Sequence, residues 1–176
     1  MSRNSSQINV LNLIAAIFLW TIVAAWTVII FYLSHENAVD SYARSANLIV
    51  IFKKFNINFT EQMIRHLAIV AEYSFLSLAI YLGMSYTNGI SEAYSYAASP
   101  NKVIKHTNEL FILYSFWLSM FIAALTEYFQ IFVEGREATI VDIGIAAGST
   151  SVVMLICRVA FMIRLRIMNE TEIEYE

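Results

Sequence analysis

Charge is scarce in this chain. Asp, Glu, Lys and Arg together make up 14% of its 176 residues, against 59% hydrophobic residues and a mean hydropathy of +0.60. A balance this apolar lies outside the ordinary globular range and marks a membrane protein. Cysteine is scarcer still. Cys157 stands alone, so no intramolecular disulfide can form, and His35, His66 and His106 are too scattered to offer metal-ligand spacing. The net charge of -3 is small, and its acidic part gathers in the terminal NETEIEYE, which gives no footing for nucleic acid. Also missing are a P-loop, a Gly-x-Ser-x-Gly elbow and any nucleophile-plus-base pairing. These absences lean away from an enzyme, and neither a cofactor nor a metal is expected.

What the chain does have is long apolar runs. Crossing a hydrocarbon core of ~30 Å takes roughly 20 helical residues. Four stretches satisfy this, at about 8–33, 64–86, 108–133 and 139–164. The first is much longer than the ~7–15 apolar residues of a signal peptide and has only Arg3 upstream, so it reads as a retained anchor. The expected fold is an all-α membrane protein, a four-transmembrane-helix bundle forming one domain over residues 1–176, with 165–176 as an acidic cytoplasmic tail. Neither broken helices nor internal repeats of the kind transporters show are present.

Lys and Arg set the orientation. Arg164 and Arg166 clamp the end of span four, and Arg3, Lys102 and Lys105 fall on the same side. Opposite them stand Arg44, Lys53, Lys54 and Arg136. The bias places both termini in the cytoplasm. In the inner loop, Ser99-Pro100 is a good helix start, with Lys102, Lys105 and His106 at the interface. In the first outer loop, Leu48, Ile51, Phe52, Phe55 and Phe59 share a helical face against Lys53, Lys54, Asn56 and Asn58. That pattern fits an interfacial helix, or else a strand or loop packed on the bundle.

The unusual segment is TEYFQIFVEGREATIVDIG, residues 126–144, which sets Glu127, Gln130, Glu134, Arg136, Glu137 and Asp142 between two apolar runs. With the spans as drawn, four helix ends lie at the outer leaflet, and the polar residues pool there: Ser34; Arg65 with Glu72 and Tyr73; Glu127 with Gln130; Arg136; and Asp142. Spacing points to convergence. Arg65 and Glu72 lie on one helical stripe, Glu127 and Gln130 continue a stripe of Ser115, Ser119, Ala123 and Thr126, and Asp142, Ala146 and Ser149 share a side. Gly144 and Gly148 form a small face suited to internal packing. A carboxylate at a helix centre costs roughly 2.5–3.5 kcal/mol on insertion scales, so such acids face inward and find partners. Arg65 with Glu72 and Glu127 with Arg136 are therefore either ion pairs fixing helix register or hands for a ligand. Asp142 also suits the positive end of a helix. The three tryptophans read as core or interface anchors, and His66 as a surface or headgroup contact.

These residues resemble the VanZ-like family of bacterial integral membrane proteins. Its Glu-x-x-Gln, Gly-Arg and following Asp match Glu127, Gln130, Gly135, Arg136 and Asp142. Its Leu-Ser matches Leu33 and Ser34, and its Arg-Lys-x-x-His-x-x-Glu-Tyr matches Arg65, Glu72 and Tyr73. The matches keep the family's order over most of the chain. Departures are Ile69 for histidine, His66 for lysine, Glu134 for proline and Ala146 for asparagine, and each but Glu134 for proline and His66 for lysine replaces a polar group by an apolar one.

The resemblance implies a multi-pass protein of the bacterial cytoplasmic membrane and cell envelope, linked to resistance to the glycopeptide teicoplanin. The resulting expectation is an outer-leaflet pocket made by Ser34, Arg65, Glu72, Tyr73, Glu127, Gln130, Arg136 and Asp142. Its partner would be a membrane lipid, a lipid-tailed molecule or a cell-wall precursor. The alternative is an intramembrane hydrolase or transferase, or a flippase, acting on a lipid-linked envelope substrate, with Glu127 or Glu72 as general base.

Overall fold

The computed structural model describes residues 9–54, 59–90, 100–136 and 138–173. They form five helices: α1 (Val10–Ser34), α2 (Ala38–Lys53), α3 (Glu61–Asn88), α4 (Pro100–Gln130) and α5 (Ile140–Ile173). Among the described residues there is no strand.

Each helix start has a local cause. The first amides of a helix lack intrahelical partners, and short polar side chains supply them. Asn9 accepts from the Asn12 amide, Asn37 from Asp40, Thr60 from Met63, and Thr139 from Asp142. α4 begins with Pro100, whose missing N–H would have been unpaired anyway. Once begun, the helices run long because hydrocarbon offers backbone groups no other partner. Four stretches are long and apolar enough to cross a membrane: Val10–Ser34, Glu61–Asn88, Thr107–Gln130 and Ile140–Ile167. The chain is thus an all-α, four-span membrane bundle.

α3 is the central helix. It packs against α1, α4 and α5; α4 lies along α5 and touches α1 more lightly, and α2 rests on α3. Leu76 and Ile80 of α3 are completely buried among Val23, Ile30, Ile122, Ala123 and Ala146. A second cluster joins Tyr81, Met154 and Cys157. Outward faces are as greasy as the core, with Ile14, Phe18, Val28, Trp117, Phe121, Leu155 and Ile156 all exposed. Lipid, not water, suits such a surface.

The bundle end without the charge pool is stapled by the backbone. The Asn9 amide donates to the Ile90 carbonyl at 3.0 Å, and Asn12 Nδ2 donates to the Gly89 carbonyl at 2.6 Å. Trp20 Nε1 donates to Thr87 Oγ1 at 3.0 Å, and its ring lies over Gly83, where an added Cβ would stand 3.4 Å from the indole.

Several boundaries differ from the sequence expectation. α4 ends at Gln130 rather than near Val133, because the chain turns through 131–136 with Gly135 in the left-handed region at φ 75°. Glu127 therefore sits in the last turn of α4, not two turns inside it. α5 continues to Ile173 and absorbs most of the expected tail; 174–176 lie outside the described residues. The outer-loop helix exists, but as α2 it begins at Ala38 and stops at Lys53. Phe55, Asn56 and Asn58 lie outside the described residues, as does Arg3, while the Phe52 and Phe59 rings meet edge to face at 4.9 Å.

Gly144 and Gly148 also depart from expectation. A Cβ on either would meet nothing within 4 Å, so among the described residues no other helix sits against that face. Asp142, Ala146 and Ser149 turn inward instead. Left-handed backbone costs an L-residue roughly 1–2 kcal/mol. Gly135→Ala should accordingly lower unfolding free energy in detergent by about that amount, whereas Gly144→Ala and Gly148→Ala should leave thermal unfolding unchanged or slightly raised.

Candidate functional site

The polar end of the bundle is assembled from helix termini. The last turns of α1 and α4 meet the first turns of α3 and α5 there, and α2 lies alongside. Glu127, 7% exposed, reaches across the α4–α5 turn so that its Oε2 accepts the Thr139 amide at 2.9 Å. That amide precedes α5, where the helix dipole favours negative charge. Its Oε1 accepts from Gln130 Nε2 at 3.3 Å. The same Nε2 donates to Ser34 Oγ at 2.8 Å, tying α4 to the end of α1. Gln130 Oε1 is thereby left buried with no donor.

Asp142, in the first turn of α5, is 4% exposed and is bound by the Arg65 guanidinium from α3. His66 Nε2 stands 3.8 Å from its other oxygen. Tyr73 donates to Thr126 Oγ1 at 2.8 Å, since the Thr126 proton is committed to the Ala123 carbonyl. Arg136, from the turn, donates to the Ser34 carbonyl at 3.3 Å and to Ser41 Oγ at 2.8 Å. The Ser34 carbonyl is at the negative end of α1, so the guanidinium satisfies an otherwise open acceptor.

These side chains border one cavity of about 90 Å³. All eight residues singled out from the sequence line it: Ser34, Arg65, Glu72, Tyr73, Glu127, Gln130, Arg136 and Asp142. Four polar lining residues were not singled out. Thr126 appeared only as part of a stripe, and Ser41, Arg44 and Ser45 come from α2. Their signal was present, because Ser41, Arg44 and Ser45 repeat at helical spacing. Setting the outer-loop helix too late in the chain hid it. Arg44 is also ion-paired to Glu36.

The expected pairings are not the ones formed. Glu72 lies seven residues from Arg65, roughly 10 Å along the same helix, and Arg65 instead crosses to Asp142. Glu127 has both oxygens engaged by Thr139 and Gln130, and Arg136 points away toward α1 and α2. Burial, helped by the nearby Arg65 and Arg44 charges, pulls Arg136 below its ordinary pKa, against the opposing pull of Glu36 and Glu127. Its charge is held by neutral oxygens, with no ion pair among the described residues.

Removing one partner of a mostly buried pair strands the other. Arg65 is 40% exposed, so solvent screens part of the effect. Arg65→Met should destabilise the protein by about 1–2 kcal/mol, and adding Asp142→Asn should recover part of that loss. A double-mutant cycle by chemical or thermal unfolding reads the coupling directly.

No family model, curated protein or solved structure matches this chain, and the case for the site is its geometry together with its sequence pattern.

Proposed function

We propose that the chain is a VanZ-like protein of the bacterial cytoplasmic membrane with both termini in the cytoplasm. Its pocket opens to the outer leaflet and binds the polar headgroup of a lipid, a lipid-tailed molecule or a cell-wall precursor. Teicoplanin-type resistance is the phenotype this reading attaches to it. One observation carries the reading: acids, guanidiniums and an amide from α3, α4, α5, α2 and the α4–α5 turn, with the Ser34 hydroxyl of α1, border a cavity at one end of an otherwise apolar bundle. Intramembrane charge is expensive, and pooling it around an open space of about 90 Å³ rather than in a closed ion-pair core favours a guest. Arg136 supplies the grip, because a guanidinium can fork two hydrogen bonds onto anionic oxygens.

Two of the three cavity carboxylates favour binding over catalysis. Glu127 is held on both oxygens and Asp142 is bound by Arg65, which makes them struts of the site rather than mobile bases. Ser34 and Ser41 orient Arg136.

Native mass spectrometry of protein released from its own membrane should find a lipid-class molecule attached. Arg136→Ala should lose it while remaining folded, with a melting temperature lowered only by the two hydrogen bonds to Ser34 and Ser41; equal retention by both proteins would remove the pocket reading. Topology has its own check. In a Cys157→Ser background, Glu134→Cys in the exposed turn should react with a membrane-impermeant maleimide in intact cells, and protection there would reverse the assigned orientation.

A further inference from the structure

We propose that the guest of this cavity is zwitterionic, with a phosphate-type anion beside a primary ammonium. The inference rests on the headgroup-binding reading and names the chemistry of the same site. It follows from which charges around the cavity are already satisfied. Arg65 is bound to Asp142, Arg44 is paired with Glu36, and Glu127 accepts from Thr139 and Gln130. Two charged groups remain. Arg136 donates only to neutral oxygens, and the half-buried Glu72 carboxyl has neither hydrogen bond nor ion pair among the described residues.

The two leftovers carry groups of opposite kind and line one cavity, Glu72 from α3 and Arg136 from the α4–α5 turn. They border the same space, together with Gln130, which is 6% exposed and whose Oε1 lacks a donor. Among the described residues, the lining therefore holds one guanidinium without an ion pair and one carboxyl without a partner.

A purely anionic guest would answer Arg136 but bring negative charge against Glu72, and a purely cationic guest would do the reverse. A molecule carrying both charges meets each. Phosphate oxygens take the guanidinium in forked geometry. An ammonium has three N–H donors, which the two oxygens of the Glu72 carboxylate can accept. A quaternary ammonium fits less well on two grounds: it has no N–H to donate, and aromatic cages recognise it, whereas among the described residues Tyr73 is the one aromatic in the lining.

The test uses the full chain in nanodiscs with equal amounts of phosphatidylethanolamine, phosphatidylcholine and phosphatidylglycerol of matched acyl chains. Retained lipid is read by native mass spectrometry. Phosphatidylethanolamine should be held over the other two by about tenfold, the size of one charge-assisted hydrogen bond. Glu72→Gln, close to isosteric, should collapse that preference while total phospholipid retained stays within about twofold and the melting temperature is unchanged. Arg136→Ala should lower retention of all three.

Soluble phosphoethanolamine forms a second arm. Binding of it with the same sensitivity to Glu72→Gln assigns a free zwitterion as guest, and binding of the lipid form alone assigns a lipid; either carries the inference. Preference for phosphatidylglycerol or phosphatidylcholine, or a preference that Glu72→Gln leaves intact, overturns the zwitterion and spares headgroup binding. Retention of no lipid and no soluble headgroup overturns both.

Discussion

The contact from Glu127 to the Thr139 amide is the one on which the polar end of this bundle depends. It closes the α4–α5 turn, places a carboxylate where the dipole of α5 favours it, and leaves the second oxygen for Gln130. Gln130 then holds Ser34, and the carbonyl of Ser34 holds Arg136. From one acid a chain of bonds passes through three helix ends. An acid in an apolar bundle is tolerable only with partners, and Glu127, in the last turn of α4, finds them in the open Thr139 amide before α5 and in the Gln130 side chain.

Polarity, not greasiness, defines the inside of this protein. In a water-soluble bundle the apolar stripe of a helix turns toward the core; here the exposed faces carry Phe18, Trp117, Phe121 and Leu155, and the buried ones carry Ser77, Ser115, Ser119, Thr126 and Thr150. Small hydroxyl side chains let backbones approach; Ser77 and Thr126 bond the Ser74 and Ala123 carbonyls of their own helices, while Ser115, Ser119 and Thr150 have no partner among the described residues. Against so uniform a background the hydrophobic effect cannot choose which face is interior. The few polar positions make that choice.

For the same reason much of the site was legible in the sequence. Once the spans were placed, Glu127 and Gln130 on one stripe and Asp142 with Ala146 and Ser149 on another had only one sensible direction to face. Arg65, Tyr73 and Ser34 followed from the antiparallel order of the spans. Partner choice was not legible. Whether Arg65 takes Glu72 or Asp142 depends on how α3 and α5 cross, a tertiary quantity absent from spacing along one helix. α2 was missed in part because its apolar half drew the eye to 48–59, while its functional half, Ser41 to Ser45, reads as an ordinary polar loop. Gly144 and Gly148 show the opposite error: small spacing permits close approach without requiring that a neighbour use it.

α1 is tethered at both poles. Asn9 and Asn12 pin its start to residues 89 and 90, and the Ser34 side chain and carbonyl pin its end to Thr126, Gln130 and Arg136. A rod tied at each end cannot slide along its neighbour, so the register of α1 against α3 is set by these polar tethers rather than by the apolar stretch between them.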